Sequence, residues 1–300
     1  MPTSLAASAS ARTVREVGRA IVELCKPGIT RLVLVTTACG FLAAPGPLQT
    51  FEFFSTLVGT ALVVAGANAL NMFLERDVDR FMRRTRTRPL PTGRLSPDEV
   101  LAFGMAVALV GLVILATTVS TAAVALALLA LISYVLLYTP LKQLSSTAVY
   151  VGALPGALPP AIGYAAVTGT LDSAGLCLFL ILLVWQIPHF LAISLFRKSE
   201  YAAAGHQVMP VEKGESYTRK ATLISAVVLL LTTLLPVAMG IAGWFYGALA
   251  LLTGVPFVAW AARGLRASAD EAWAKKLFFA SLPHLVFVMA GLVVAVNFQH

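Results

Sequence analysis

Two stretches of 42 residues, 100–141 and 221–262, contain no charged side chain. A helix needs roughly 20 apolar residues to cross the hydrocarbon core of a bilayer, so each stretch is long enough for two crossings. Each also has a polar or glycine-containing break near its middle, at residues 117–121 and 240–243, which is typical of a turn. The pattern therefore predicts two helical hairpins that cross a membrane and return to the side from which they started.

Two further segments fit the same hairpin pattern. Residues 27–74 contain a turn at residues 45–47, and residues 143–196 contain a turn at residues 169–172. A single final segment, residues 277–297, brings the predicted number of transmembrane helices to nine. Because no segment shows the alternation of a β-strand, we predict an all-α, polytopic membrane helical bundle around a central apolar cavity.

Charged residues gather in the segments between the predicted hairpins. Because each hairpin returns to its starting side, these segments lie on one face of the membrane. Together with Arg31, just inside the first predicted crossing, they hold all 22 Lys and Arg. The excess of positive charge predicts that this face is cytoplasmic, with the N-terminus inside and the C-terminus outside. Residues 1–25 are expected to form a short cytoplasmic tail, and residues 26–300 a membrane domain. The net charge of +8 then reflects topology and attraction to anionic membrane lipid, and it does not indicate nucleic acid.

A group of polar residues follows the second predicted crossing. Asn71, Glu75 and Asp79 are spaced four residues apart, and Asn68 lies three residues before them, so all four project from one helical face. Asp77 points away from that face. An amide one or two turns inside the apolar boundary requires either a polar partner or a wet cavity. From spacing alone, a solvated helix end whose amides bond a neighbouring helix explains the pattern equally well.

The neighbouring residues favour a binding site. One amide and two carboxylates form an oxygen-only donor set that suits Mg²⁺, which completes its shell with water and substrate phosphates. Arginines bind phosphate oxygens bidentately, and five follow closely: Arg83, Arg84, Arg86, Arg88 and Arg94. The prolines and glycine of residues 89–93 predict an irregular loop that folds over a ligand. Together they predict a diphosphate site at a membrane surface, with an apolar cavity behind it for a hydrocarbon tail.

At these residues the sequence resembles the intramembrane prenyltransferase superfamily that includes the 4-hydroxybenzoate polyprenyltransferases. The superfamily's signature, an asparagine followed four and eight residues later by acids, is present as Asn71, Glu75 and Asp79. Within the superfamily, the sequence RTRTRPLPTGR at residues 84–94 is most similar to the heme O synthase branch. Further segments agree with that branch in the same order along the chain: KPGITRLVLVTTACGFL, YTPLK, GALPGALPPAIGY, WQIPHF and EYAAAGHQVMPVEKG.

The resemblance implies transfer of a farnesyl group from farnesyl diphosphate to a vinyl group of heme b, giving heme O and diphosphate. Asn71, Glu75 and Asp79 would then hold the Mg²⁺ that bridges the diphosphate, while Arg84 and Arg88 neutralise the leaving group. The resemblance further implies a multi-pass protein of the bacterial inner membrane with a cytoplasmic active face. Candidate partners are heme A synthase and the terminal oxidase assembly.

The resemblance also adds substrate-binding candidates, which are Asn68, Tyr138, Lys142, His189, Glu200 and His206. His189 is expected to ligate the heme iron or to position the propionates, although its spacing alone favours a hydrogen-bonded core histidine. His206 is a candidate contact to diphosphate or propionate, and a loop histidine without that role is the simpler interpretation.

One departure from the superfamily pattern concerns its second acidic cluster. Ser199 stands where an acid is frequent, so that only Glu200 and Glu212 remain. A second, fully acidic metal site is therefore not predicted.

Two alternatives remain open from the sequence. One is prenyl transfer to an aromatic acceptor such as 4-hydroxybenzoate. The other is a secondary transporter, whose ionisable groups usually lie near the membrane midplane, whereas here they crowd one interface.

Overall fold

The computed structural model describes residues 13–82, 85–203, 205–266 and 270–298. Every regular element within these residues is a helix, which confirms the predicted all-α class. In chain order the α-helices are α1 (Val14–Leu24), α2 (Pro27–Leu42), α3 (Thr50–Asp79), α4 (Pro97–Thr118), α5 (Thr121–Ile132), α6 (Thr139–Leu144), α7 (Ala148–Thr168), α8 (Ser173–Phe196), α9 (Lys198–Ala203), α10 (Met209–Glu212), α11 (Glu215–Ala238), α12 (Trp244–Ala262) and α13 (Glu271–Phe298). A π-helix (Ser133–Tyr138) joins α5 to α6, and a 3₁₀-helix (Arg263–Leu265) follows α12.

Seven helices in the described residues are long and apolar enough to cross a membrane, which establishes a multi-pass membrane protein. They are α3, α4, the continuous segment from α5 to α6, α8, α11, α12 with its 3₁₀ extension, and α13. Two other helices lie where crossings were predicted. Of these, α2 has only 16 residues, and α7 has 21 residues and contains Pro155, Pro159 and Pro160. The number of nine crossings and the orientation of the termini stay predictions.

The predicted turns coincide with the ends of helices. The first uncharged stretch breaks between Thr118 and Thr121, where the Ser120 hydroxyl caps α5 by accepting a hydrogen bond from the Ala123 N–H. Asp172 caps α8 in the same way. The last helix begins at Glu271, earlier than the predicted residue 277. Its first turns carry Glu271, Lys275 and Lys276, so hydropathy alone does not include them in the apolar segment.

Helices α2 and α7 approach each other through glycines. A Cβ atom on Gly163 would overlap the carbonyl oxygen of Thr37, and one on Gly40 would overlap the carbonyl oxygen of Pro160. Small residues at such crossings let two backbones pack closely, which replaces the hydrophobic driving force that is missing between helices in lipid. The contact fixes α2 against the bundle, and therefore also fixes Lys26, the residue that precedes α2.

Part of the predicted N-terminal tail is helical. Helix α1 begins with a capping box in which Thr13 and Glu16 bond each other's backbone N–H groups. It buries Ala20 and Leu24 beside α3. Residues 1–12 of the predicted tail lie outside the described residues.

Candidate active site

Asn71, Glu75 and Asp79, called here the polar row, are buried on one face of α3. Asn71, Glu75 and Asp79 are 1%, 3% and 3% exposed, whereas Asp77 is exposed, as the spacing predicted. A buried carboxylate is costly unless a cation or several hydrogen-bond donors compensate it. Each side chain of the row should therefore have a partner elsewhere in the fold.

The amide of Asn71 joins α3 to two other segments. Its Oδ1 accepts a hydrogen bond from Lys26 Nζ at 2.7 Å, and its Nδ2 donates to Thr139 Oγ1 at 3.0 Å. Asn71 is therefore held in one orientation, with its oxygen towards a cation.

Both carboxylates of the row have cationic partners. Lys142 Nζ forms an ion pair with Glu75, and Arg88 Nη1 lies 3.7 Å from Glu75 Oε2. The same Nη1 is 2.9 Å and 2.6 Å from the two carboxylate oxygens of Asp79. The structure thus places a cation against each member of the row.

These side chains border two neighbouring cavities. The larger has a volume of about 360 Å³ and is lined by Lys26, Pro27, Gly28, Ile29, Asn71, Arg88, Tyr134, Tyr138 and Lys142. The smaller, of about 20 Å³, is lined by Glu75, Val78, Asp79, Met82, Thr85, Arg88, Lys142, Gln143 and His206. The larger lining combines apolar, aromatic and charged groups. The apolar cavity that the sequence predicts behind the diphosphate site stays a prediction. Three cations beside an aromatic wall form a surface on which a polyanion with an apolar tail fits.

Lys26 is a site residue that the sequence did not single out. It adopts a left-handed backbone conformation (φ 45°) between α1 and α2, which directs its side chain to α3. Burial lowers the pKa of Lys26 to about 7, and the positive charges of Arg88 and Lys142 act in the same direction. The sequence feature that could have indicated Lys26 is its place at the start of KPGITRLVLVTTACGFL, a segment that resembles the family. Residue spacing could not have shown that residue 26 contacts residue 71.

The π-helix positions the aromatic wall of the larger cavity. The rings of Tyr134 and Tyr138 stack with centroids 5.6 Å apart, and Lys142 Nζ lies 5.7 Å from the Tyr138 ring. Thr139 Oγ1 donates to the Tyr134 carbonyl group, which the wider π-turn leaves accessible. Of these residues, Tyr138 and Lys142 were predicted from the sequence, and Tyr134 was missed.

The structure brings His206 to the site as well. Its Nε2 lies 3.0 Å from Met82 Sδ, and the side chain lines the smaller cavity beside Glu75 and Asp79. Arg84, the other predicted phosphate-binding arginine, lies with Arg83 outside the described residues.

Three predicted residues lie away from both cavities. The Nδ1 atom of His189 is 2.7 Å from Ser281 Oγ, and its ring stacks on Trp185 with centroids 4.5 Å apart. These are the contacts of a core histidine between α8 and α13. Asn68 Nδ2 donates to the Cys25 carbonyl group at 3.4 Å, and exposed Glu200 pairs with its neighbour Arg197.

The two acids of the second cluster have separate partners, since Glu200 pairs with Arg197 and Glu212 contacts a backbone N–H group. Glu212 accepts a hydrogen bond from the Ser146 N–H at 2.7 Å, and this bond lowers the pKa of Glu212. Within the described ranges, no group of three or more His, Cys, Asp or Glu side chains is arranged to hold a metal ion. The amide of Asn71, which lies on the same face of α3 as the carboxylates of Glu75 and Asp79, would be a third oxygen donor beside these two.

Comparison with known proteins identifies the family. Residues 32–282 match the model of the UbiA prenyltransferase family. The chain belongs to the UbiA prenyltransferase family. The match begins within α2. It therefore leaves out Lys26 and three residues that line the larger cavity, Pro27, Gly28 and Ile29, and includes the other site residues named above.

Within the UbiA family, two similar relatives are both named protoheme IX farnesyltransferase. The one from Myxococcus xanthus is 45% identical over 285 residues, covering 95% of this chain and 97% of the relative. The one from Sorangium cellulosum is 48% identical over 238 residues, covering 79% and 85%.

Solved UbiA structures share the fold. A structure reported for digeranylgeranylglyceryl phosphate synthase superposes with a TM-score of 0.79 at 18% identity, covering 94% of this chain and 99% of that one. A UbiA homologue from Archaeoglobus fulgidus bound to GPP and Mg²⁺ gives a TM-score of 0.68 at 16% identity, covering 91% and 99%. At these identities the likeness concerns the fold alone.

Proposed function

We propose that this protein transfers a farnesyl group from farnesyl diphosphate to a vinyl group of heme b, giving heme O and diphosphate. The observation that carries the proposal is the placement of three cations and the α3 polar row around two neighbouring cavities. The names of the relatives support farnesyl and heme as the two substrates. We place the reaction at the cytoplasmic face of the bacterial inner membrane, in a membrane domain of residues 26–300, with heme A synthase or the terminal oxidase assembly as partners.

We assign Asn71, Glu75 and Asp79 as the residues that would hold Mg²⁺. The set fits the ion because it offers only oxygen donors, including two buried carboxylates on adjacent turns of one helix. The Mg²⁺ in the A. fulgidus homologue supports this assignment. When bound, the ion would neutralise charge on the diphosphate as it leaves.

The cations bind and stabilise the leaving group. Arg88, Lys142 and Lys26 approach the cavity from three different segments, so they can surround the phosphate oxygens without rearranging the helices. We retain Arg84 in the same role. As the bond between the allylic carbon and oxygen breaks, these residues stabilise the negative charge that moves to the diphosphate.

The aromatic wall would stabilise the allylic carbocation, which is the other product when the diphosphate leaves. Tyr134 and Tyr138 line the cavity beside the cations, so their rings can face the allylic carbocation and exclude water from it. The vinyl group of heme b then supplies the electrons of the new carbon–carbon bond. Water adds to the resulting heme cation and loses a proton, which completes the hydroxyethylfarnesyl group. Among the remaining candidates for substrate contact, we retain Asn68, His189, Glu200 and His206, of which His206 has the support of its position on the smaller cavity.

The function is tested by expressing the protein in cells that make only heme b and analysing the extracted hemes by mass. We expect a new heme heavier by one farnesyl group and one hydroxyl group, and at least about a hundredfold less of it with the Asp79→Asn variant. Correctly inserted protein that produces no farnesylated heme would reject the proposal. Magnesium-dependent prenylation of added 4-hydroxybenzoate would instead favour the aromatic acceptor.

Arg88→Ala is expected to weaken binding of farnesyl diphosphate by about ten- to a hundredfold, because charge-assisted hydrogen bonds contribute roughly 1.5–3 kcal/mol each. The affinity for heme b should stay unchanged. The measurement is the Kd of a non-hydrolysable farnesyl thiodiphosphate with Mg²⁺. Arg86→Ala, an exposed arginine two residues away, is the matched control. Equal affinities in both variants would remove Arg88 from the diphosphate site.

A further inference from the structure

Arg94 does not contact the cavity, although the sequence grouped it with the phosphate-binding arginines. Its Nη1 and Nη2 atoms donate to the two carboxylate oxygens of Glu23 at 2.8 Å and 2.6 Å. Glu23 lies in the last turn of α1. The bidentate pair therefore connects α1 to the loop of residues 85–96, 71 positions further along the chain.

The same guanidinium group also binds the loop on both sides of Arg88. Its Nη2 donates to the Thr87 carbonyl group at 2.6 Å, and its Nε donates to Thr92 Oγ1 at 3.0 Å. Thr92 Oγ1 in turn donates to the Arg88 carbonyl group at 2.8 Å. A continuous chain of hydrogen bonds thus runs from α1 to the backbone of the arginine that contacts Asp79.

An apolar contact supports this hydrogen-bonded connection. Ala20 and Leu24 of α1 belong to one buried cluster with Leu90 and Leu95 of the loop. These four residues are 0%, 0%, 7% and 5% exposed. One face of α1 therefore packs on the loop, and Glu23 of α1 forms an ion pair with Arg94 of the loop.

We propose that α1 is a strap that positions Arg88 for diphosphate binding, with Glu23 and Arg94 as positioning residues. The inference rests on the proposed function and adds residues that touch neither substrate. The loop has no regular secondary structure, so without the strap the backbone around Arg88 would sample more conformations. Ordering this backbone before the ligand arrives reduces the entropy cost of binding, which is the usual benefit of preorganisation.

The strap can be tested without any assumption about the reaction. We expect Glu23→Gln and Arg94→Ala to increase hydrogen–deuterium exchange of the backbone amides of residues 85–96 in the purified full-length protein. Arg15→Ala, which alters an exposed residue on the same helix, should leave that exchange unchanged. Exchange at the wild-type level in both Glu23→Gln and Arg94→Ala would overturn the inference.

The link to binding is tested with farnesyl thiodiphosphate and Mg²⁺. Glu23→Gln should raise the Kd about three- to fivefold, the range expected for loss of a partly exposed ion pair. Arg94→Ala should raise it further, because it also removes the bonds to Thr87 and Thr92. The double variant should match Arg94→Ala alone, since the two residues act through one connection.

Turnover gives a signature that general destabilisation would not give. We expect the KM for farnesyl diphosphate to rise while kcat and the KM for heme b stay unchanged. Faster exchange of the loop with unaltered Kd would show that the strap exists but does not position Arg88, which would overturn the inference. Failure of the wild-type protein to farnesylate heme would reject the proposed function, and the exchange result would still report on the strap.

Discussion

Asp79→Asn is expected to reduce farnesyl transfer by about two to three orders of magnitude while the protein still inserts into the membrane. The substitution keeps the size of the side chain and removes the charge that both Mg²⁺ and Arg88 require. Arg88 would lose its nearest carboxylate partner and keep only the longer contact of 3.7 Å to Glu75. The measurement is the rate of heme O formation in membranes that contain equal amounts of each protein.

Glu75→Gln should have a comparable effect, because its carboxylate is the partner of Lys142 and the next member of the row. Asp77→Asn is the matched control, since it alters an exposed carboxylate on the same helix. We expect its activity to equal that of the wild type. Full activity of Asp79→Asn and Glu75→Gln would remove both carboxylates from the metal site, whereas equal loss in all three variants would indicate a general effect of charge.

Gly163→Ala is expected to have the largest effect on stability, with a cost of about 1–3 kcal/mol or more. The added methyl group would overlap backbone atoms of Thr37 and Phe41, which cannot rotate away as a side chain can. Helix α2 must then move off α7, and Lys26 at its N-terminal end would move with it. The measurement is the temperature at which half of the detergent-solubilised protein loses its monodisperse state.

Gly247→Ala provides the control within another helix of the bundle. A Cβ atom there would meet only the end of the Val237 side chain. We therefore expect its midpoint temperature to lie near that of the wild type, with a small gain from the higher helix propensity of alanine. A loss of stability as large as that of Gly163→Ala would show that close packing of α2 on α7 is not the cause.

The local features of the molecule could be predicted from the sequence. Hydropathy and the breaks within it located the turns, and the spacing of Asn71, Glu75 and Asp79 correctly placed them on one buried face. Both inferences depend only on the length and periodicity of a single helix, and residues close together in the sequence determine these properties.

Partners across the fold could not be predicted in the same way. Lys26 reaches Asn71 over 45 positions, and Arg94 reaches Glu23 over 71. Such pairs depend on how separate helices pack, and a hydropathy pattern does not specify that packing. Arg94 and Arg88 look alike in the sequence, yet one contacts α1 and the other contacts the buried carboxylates.

The cations around the polar row have a consequence for assembly. Lys26, Lys142 and Arg88 supply partners from within the chain for Asn71, Glu75 and Asp79, so neither buried carboxylate relies on an external ion for neutralisation. Many small metal-binding domains, such as zinc fingers, fold only when their metal binds. By contrast, we expect the polypeptide to insert into the bilayer and fold without added Mg²⁺, so that its biogenesis would not depend on a supply of the ion.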